Sequence, residues 1–315
     1  MKANLGICRI AVLFVLTLAT VAGLPDRMAR AQTNASPTIA SPPSPFVYAA
    51  EGCGKILRFG ADGRIDWEFP AQVARDVWVL PNGNVLFPYN DDYSSQRNDN
   101  PSGVMEVTPD KKVVFHFRTT GQVFSCQRMT DGNTLVGAAS QGKLLVIDPR
   151  AKVVREIKVL NAPGHGCLRN VRQTAAGTFL TAEESAKAAR EYASDGKLVR
   201  EFKCAFPPYS VVRLTNDHTL VCGAQGMTEF DASGRALWSV TGKDYPEVGL
   251  RWFAGVQVLP DGGIFVCNAG GKVPFFVLGP DRRVRWLSAT GSSSAAPVPV
   301  GHGIQLLGLP GPVLK

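Results

Sequence analysis

The sequence predicts an all-β fold, a ring of six four-stranded antiparallel blades, and three observations carry that prediction. The first is a repeated unit, clearest over residues 76–117: an apolar strand, a tight Asn-Gly turn, a second strand, a looser loop, a third strand, another tight turn and a fourth strand. The second is the regularity of those turns. The first turn of the unit returns at Gly83, Gly132, Gly177, Asp217 and Gly262, at spacings of 49, 45, 40 and 45 residues. The second returns at Asp62-Gly63, Asp110-Lys111, Arg150-Ala151, Asp195-Gly196, Ser233-Gly234 and Asp281-Arg282. Four strands in about 40 to 50 residues is the periodicity of a β-propeller blade. The third observation is a pair of fragments, one at each end of the repeat array, that complete one another.

In chain order, Lys2 and Arg9 flank the start of an apolar run over residues 10–24, shorter than the ~20 residues a comfortable membrane span requires and typical of a secretory leader. Residues 1–31 therefore read as an export signal, with cleavage after Ala31 or after Ala22, and a retained N-terminal anchor is the alternative. The expected location is periplasmic or secreted. Residues 32–45, QTNASPTIASPPSP, read as a Pro/Ser-rich linker that stays extended. Residues 46–315 then form a single propeller domain.

Five units are complete, at 74–121, 122–162, 166–206, 208–244 and 250–290. Residues 46–69 match the last three strands of a unit. The segment GIQLLGLPGPVL, 303–314, matches the missing opening, as its likeness to GVQVLPDGGIF at 255–265 shows. A blade assembled from both ends removes the open sheet edge of an incomplete ring. The stretch EESAKAARE, 183–191, has a helical composition, but the repeat register assigns 189–192 to a third strand. Trp67, Phe115, Trp238 and Trp286 share one fourth-strand column with Arg155 and Arg200, a pattern expected of side chains wedged between blades.

The formal charge of +8 falls to +5 without the leader, and the basic residues are dispersed, which excludes a nucleic-acid groove. Six cysteines remain outside the leader, allowing fifteen pairings, but Cys222 and Cys267 occupy equivalent positions of successive blades, too far apart to bond. Buried small hydrophobes are the expectation for most of them. There is no CxxCH, no adjacent Cys pair and no calcium-loop spacing among Asp91, Asp92 and Asp99, so no metal is expected. The long polar insertion NDDYSSQRNDNPS, 90–102, reads as a solvated loop or a lid.

One face of the ring carries only tight turns, so function is expected on the other, around the channel mouth. Inter-blade connections bring Arg75, Asp76, Gln127, Arg128, His165, Arg169, Arg251, Trp252 and His302 there. Second-to-third-strand loops add Glu51, Glu183, Glu184, Lys187 and Asn268. Aligned innermost strands give a polar column, Asp76, Ser125, Asn170, Ser210, Gly255, Gly303, and a second two residues on, Trp78, Gln127, Arg172, Val212, Gln257, Gln305. Between them runs an apolar column, Val77, Cys126, Val171, Val211, Val256, Ile304. Strand alternation sends the polar columns to the channel and the apolar one between blades. His165 and His302, each in Gly-His-Gly, are the candidate catalytic residues, with Arg169 to steady negative charge and Glu183 as a carboxylate partner.

The strand pairs GADGRIDWEF (60–69) and DASGRALWSV (231–240) resemble the PQQ-like repeat, and the unit as a whole is similar to bacterial PQQ-like and NHL-like propellers. True quinoprotein dehydrogenases have eight blades and a vicinal disulfide; this chain departs on both counts, so no PQQ cofactor is expected. The resemblance also extends to arylsulfotransferases, exported six-bladed propellers with an axial histidine nucleophile. The expected protein is a monomer that binds a small polar or anionic ligand, or an extracytoplasmic protein partner, at the channel mouth. The alternatives are an arylsulfotransferase-like or hydrolytic enzyme using His165 or His302, and a scaffold for an envelope assembly.

Overall fold

The computed structural model describes Ile39 and residues 41–91, 99–288 and 297–315. The segment read as a leader, most of that read as a linker, and the centre of the polar insertion, 92–98, lie outside the described residues. Among the described residues there is no α-helix; the chain forms 24 strands in six four-stranded antiparallel sheets, a six-bladed β-propeller.

The blades follow the predicted units. Blade 1 comprises Trp78–Val79, Val85–Asn90, Pro101–Val107 and Val113–Thr120. Blade 2 comprises Val123–Arg128, Thr134–Ala138, Lys143–Ile147 and Val153–Lys158. Blade 3 comprises Asn170–Gln173, Phe179–Glu183, Ala188–Tyr192 and Leu198–Lys203, so the helix-like composition yields to the repeat register. Blade 4 comprises Pro208–Arg213, Thr219–Gly223, Gly226–Phe230 and Ala236–Thr241. Blade 5 comprises Phe253–Val258, Ile264–Asn268, Phe275–Leu278 and Val284–Leu287.

Blade 6 is the composite one. Its innermost strand, Ile304–Leu306, pairs with Phe46–Ala50, which is followed by Lys55–Phe59 and Ile65–Pro70. Only these three residues of the C-terminal fragment form a strand. Beyond Leu306 the chain leaves the repeat pattern and crosses the tight-turn face, where Val258 N donates to Leu314 O at 2.8 Å. The end of the segment read as linker is docked as well. Ile39 is buried against the blade 5–blade 6 core, and Trp286 Nε1 donates to Ser41 O.

The turns form for a local reason. The Asp or Asn opening a turn accepts the backbone N–H two residues on, as Asp131 does from Asn133 and Asp195 from Lys197. The glycine column follows from φ values near +80° at Gly83, Gly132, Gly177 and Gly262, a region that L side chains resist. Between blades the apolar column of the innermost strands is buried, and aromatic residues fill the wider spaces farther out. Phe46 stacks on Phe59 at 4.9 Å and meets Phe275 edge-on at 4.9 Å, so the closing blade is welded to its neighbour through an aromatic cluster. The fourth-strand column has the predicted register, each member opposite an equivalent third-strand residue, as in Glu106 with Phe115 and Glu229 with Trp238. The six cysteines among the described residues are free; Cys126, Cys167, Cys222 and Cys267 are buried.

Candidate functional site

The channel mouth is built by one residue per blade, each immediately before the polar column: Arg75, Phe124, Arg169, Tyr209, Ala254 and His302. In blades 2 to 6 backbone irregularity puts them there. Ladder pairing steps over Phe124, Tyr209 and Ala254, which are inserted residues between paired neighbours. In blade 3 Arg169 N also donates to Ala182 O, although Ala182 is already paired with Asn170; in blade 6 His302 N bonds Ala49 O beside Gly303. Such β-bulges re-aim side chains, here toward the axis.

The six residues do not leave an open channel. Tyr209 reaches across the ring, its hydroxyl accepting from Arg75 Nη1 at 3.3 Å and its ring stacking on His302 at 5.1 Å. Below it, Asp76 is held by Arg172 (2.8 Å) and by the Lys315 ammonium (2.9 Å), with Ser125 Oγ donating at 3.0 Å. These cations outweigh the burial that would raise the Asp76 carboxyl and hold it at about 2, while burial brings Lys315 down to about 8 despite Asp76. The remaining axial space is about 10 Å³, the scale of a single water.

Above Tyr209 lies an open cavity of about 830 Å³, lined among others by Glu51, Asp91, His165, Arg169, Glu184, Tyr209, Arg251, Trp252 and His302. Arg75 makes a bidentate pair with Glu51 at 2.8 and 2.9 Å, and His302 Nδ1 lies 2.8 Å from Glu51 Oε2. Burial would raise the Glu51 carboxyl, but His302 and Arg75 hold it at about 2; burial lowers His302 against the pull of Glu51. The Nδ1–Oε2 approach lies outside hydrogen-bond geometry, but a ring lone pair would repel an ionised carboxylate oxygen at 2.8 Å, so the Nδ1 of neutral His302 carries the proton and Nε2 keeps its lone pair. Burial, then Arg169 and Arg75, bring His165 to about 4, and its Nδ1 lies 3.0 Å from Gln122 Oε1, an acceptor. His165 therefore also presents Nε2 as an acceptor.

Arg169 is the most constrained cation. Its guanidinium lies over Phe124 at 5.0 Å and Tyr209 at 5.1 Å, its Nε donates to Glu184 Oε2, and its buried Nη1 has no partner. Arg251 is exposed at the rim, with no ion pair among the described residues, and Trp252 packs edge-on to Tyr209 at 5.5 Å.

Of the residues singled out from the sequence, Glu51, Arg75, His165, Arg169, Glu184, Arg251, Trp252 and His302 line this cavity together. The others are elsewhere, for identifiable reasons. Asp76 is sealed in the axis. Gln127 and Arg128 sit at the tight-turn end of their strand, Gln127 Oε1 accepting from Gln173 N and Arg128 paired with Glu106 at 2.6 Å. Glu183 is fully buried within blade 3, bonded to Thr181, Tyr192 and Arg190; the cavity carboxylate is its neighbour Glu184. Lys187 is exposed on a turn outside the cavity lining. Asn268 is a buried pin, accepting from Arg251 N and donating to Val273 O. The glycines flanking His302 admit neighbouring backbone: a Cβ on Gly301 would stand 2.1 Å from Ala49 O, and one on Gly303 2.6 Å from Asp76 Cα.

No protein-family model matches the chain, and no curated protein matches it by sequence. Solved structures do match. A protein of unknown function from Bacteroides caccae is 22% identical with a TM-score of 0.68, over 78% of this chain and 94% of that one. A catalytically inactive histidine-to-alanine variant of virginiamycin B lyase from Staphylococcus aureus, with quinupristin, is 12% identical with a TM-score of 0.58, over 86% and 89%. A functionally unknown protein from Desulfotomaculum acetoxidans is 12% identical with a TM-score of 0.59, over 86% and 88%. At these identities the likeness establishes the β-propeller fold.

Proposed function

We propose that the chain is an exported propeller, kin to the PQQ-like and NHL-like repeats its strand pairs resemble, that binds a small anionic ligand in the channel-mouth cavity. The observation that carries this reading is the Arg169 guanidinium, which lines the cavity with only its Nε hydrogen-bonded among the described residues. A hydrogen bond to a charged group contributes ~1.5–3 kcal/mol, and an anionic ligand oxygen on the cavity edge of this guanidinium would supply one. Arg251 at the rim supplies a second, exposed cation. The reading needs no prosthetic group, and a cavity of about 830 Å³ lies within the ~300–1,000 Å³ usual for small-molecule sites.

The test is a thermal-shift screen of residues 32–315 against aryl sulfates, sugar acids, simple carboxylates and peptides. A ligand at one hundred times its Kd stabilises by ~2.7 kcal/mol. The expected result is stabilisation by an anion that disappears in Arg251→Ala, whose own midpoint equals the parent's. An equal shift in parent and variant, or shifts only from uncharged compounds, would overturn the reading.

The Glu51–His302 contact favours a second reading, an arylsulfotransferase-like or hydrolytic enzyme. A carboxylate on Nδ1 that leaves Nε2 unprotonated is the arrangement of a general base or nucleophile. On this reading His302→Asn keeps anion binding and loses turnover of an aryl sulfate or aryl ester.

A further inference from the structure

Resting on the anion-binding reading, we infer that the ligand is a hydroxylated carboxylate, a sugar acid, whose carboxylate meets Arg169 and whose hydroxyls donate to His165 and His302. The inference comes from the donor and acceptor inventory of the cavity wall. Phe124 touches both His165, with ring centroids 5.3 Å apart, and Arg169, at 5.0 Å; Tyr209 touches both Arg169 and His302, each at 5.1 Å. The three polar groups thus succeed one another along one wall, separated by single aromatic rings. The outer two present Nε2 lone pairs, because Gln122 Oε1 and Glu51 fix the proton of each ring on Nδ1. The middle one is the Arg169 guanidinium, which lines the cavity with only its Nε bonded among the described residues. The wall therefore reads acceptor, donor, acceptor.

A ligand complementary to that order places an acceptor between two donors. The central acceptor is anionic, since it faces a guanidinium that shares only its Nε with Glu184. The flanking donors are neutral. Arg75 and Arg169 lie close enough to both imidazoles to oppose a positive charge there, and the same field disfavours an ammonium group on the ligand. Hydroxyls satisfy the requirement, and amino acids do not. Trp252, packed edge-on to Tyr209 beside these groups, provides the apolar surface on which the C–H face of a sugar ring can lie.

The experiment is calorimetric titration of residues 32–315 with D-glucuronate, D-glucose and cyclohexanecarboxylate, which separates the carboxylate from the hydroxyls on one ring shape. Glucuronate is expected to bind at least tenfold tighter than either of the others. Arg169→Met is expected to reduce it to the level of glucose, and His165→Phe to narrow its advantage over cyclohexanecarboxylate. If Arg169→Met does not fold, Arg251→Ala serves as the charge variant. Equal affinity for glucuronate and cyclohexanecarboxylate, or for glucuronate and glucose, overturns the inference. If neither acid binds but an aryl sulfate does, and Arg251→Ala abolishes it, the sugar-acid inference fails while the anion site stands. If no anion binds, both fail.

Discussion

At the scale of single residues, His165 shows how the cavity sets protonation. Burial, reinforced by Arg169 and Arg75, takes the ring from 6.5 to about 4 in the folded chain. The unfolded chain takes up the proton first, so His165 contributes stability that is intact above pH 6.5 and is lost as pH falls toward 4. At 1.36 kcal/mol per pKa unit this amounts to about 3 kcal/mol, nearer 2 because the ring is partly exposed and water screens it. Burial also lowers His116 and His302, so they slope the same way, whereas Glu51 and Asp76, both held at about 2, lose their contribution only at lower pH. Urea unfolding of the parent and His165→Gln at pH 7.5 and 4.5 isolates the term. The variant is expected to lose about 2 kcal/mol less than the parent across that interval; identical losses would remove His165 from the acid limb.

At the scale of one element, the turn between the second and third strands of blade 3 separates two adjacent carboxylates by role. Glu183 ends a strand, fully buried and raised by that burial, and is held by Thr181, Tyr192 and Arg190. Glu184, one residue on, turns toward the cavity and takes Arg169. Glu183→Ala leaves Arg190 with only Glu201 and is expected to cost about 3 to 5 kcal/mol in chemical denaturation. Glu184→Ala is expected to cost about 1 to 2 kcal/mol and to tighten anion binding, because Arg169 Nε becomes a second free donor. Weaker anion binding in Glu184→Ala would mean that the carboxylate positions Arg169 and does not merely occupy it. This pair also marks where sequence reading stops. Turn spacing locates every blade, and the columns beginning at Asp76 and Trp78 are in true register, because each rests on a period of two that ladder pairing enforces. The mouth residues lie one position upstream, where in blades 2 to 6 a bulge adds a residue and breaks that period. Phe124 and Tyr209 therefore fall outside the columns that alternation picks out, although the column one residue earlier holds two cations, two aromatic rings and a histidine. The sequence points to Glu183 where the cavity takes Glu184 for the same reason: alternation past a strand end no longer says which side chain faces the axis.

At the scale of the whole molecule, two features tie the ring together, and they can be broken separately. One is the pairing of Ile304–Leu306 with Phe46–Ala50, which converts an open array into a closed one and covers the strand that carries Phe46 and Tyr48. The other is the axial cluster, in which Arg172 of blade 3 and Lys315 both meet Asp76 beside blade 1. Deleting residues 309–315 removes Lys315 and the cover on the tight-turn face but keeps the closing strand and the Arg172–Asp76 pair. Deleting residues 303–315 removes the closing strand as well, leaving Phe46–Ala50 as an unpaired, apolar edge able to recruit another chain. The shorter deletion is expected to stay monomeric, with one cooperative transition at a lowered denaturation midpoint. The longer one is expected to self-associate in light scattering and to lose the single transition, since blade 6 no longer couples blades 1 and 5. A longer deletion that remains monomeric and unfolds at the same midpoint as the shorter one would show that packing between blades, through clusters such as Phe46, Phe59 and Phe275, holds the ring without the closing strand.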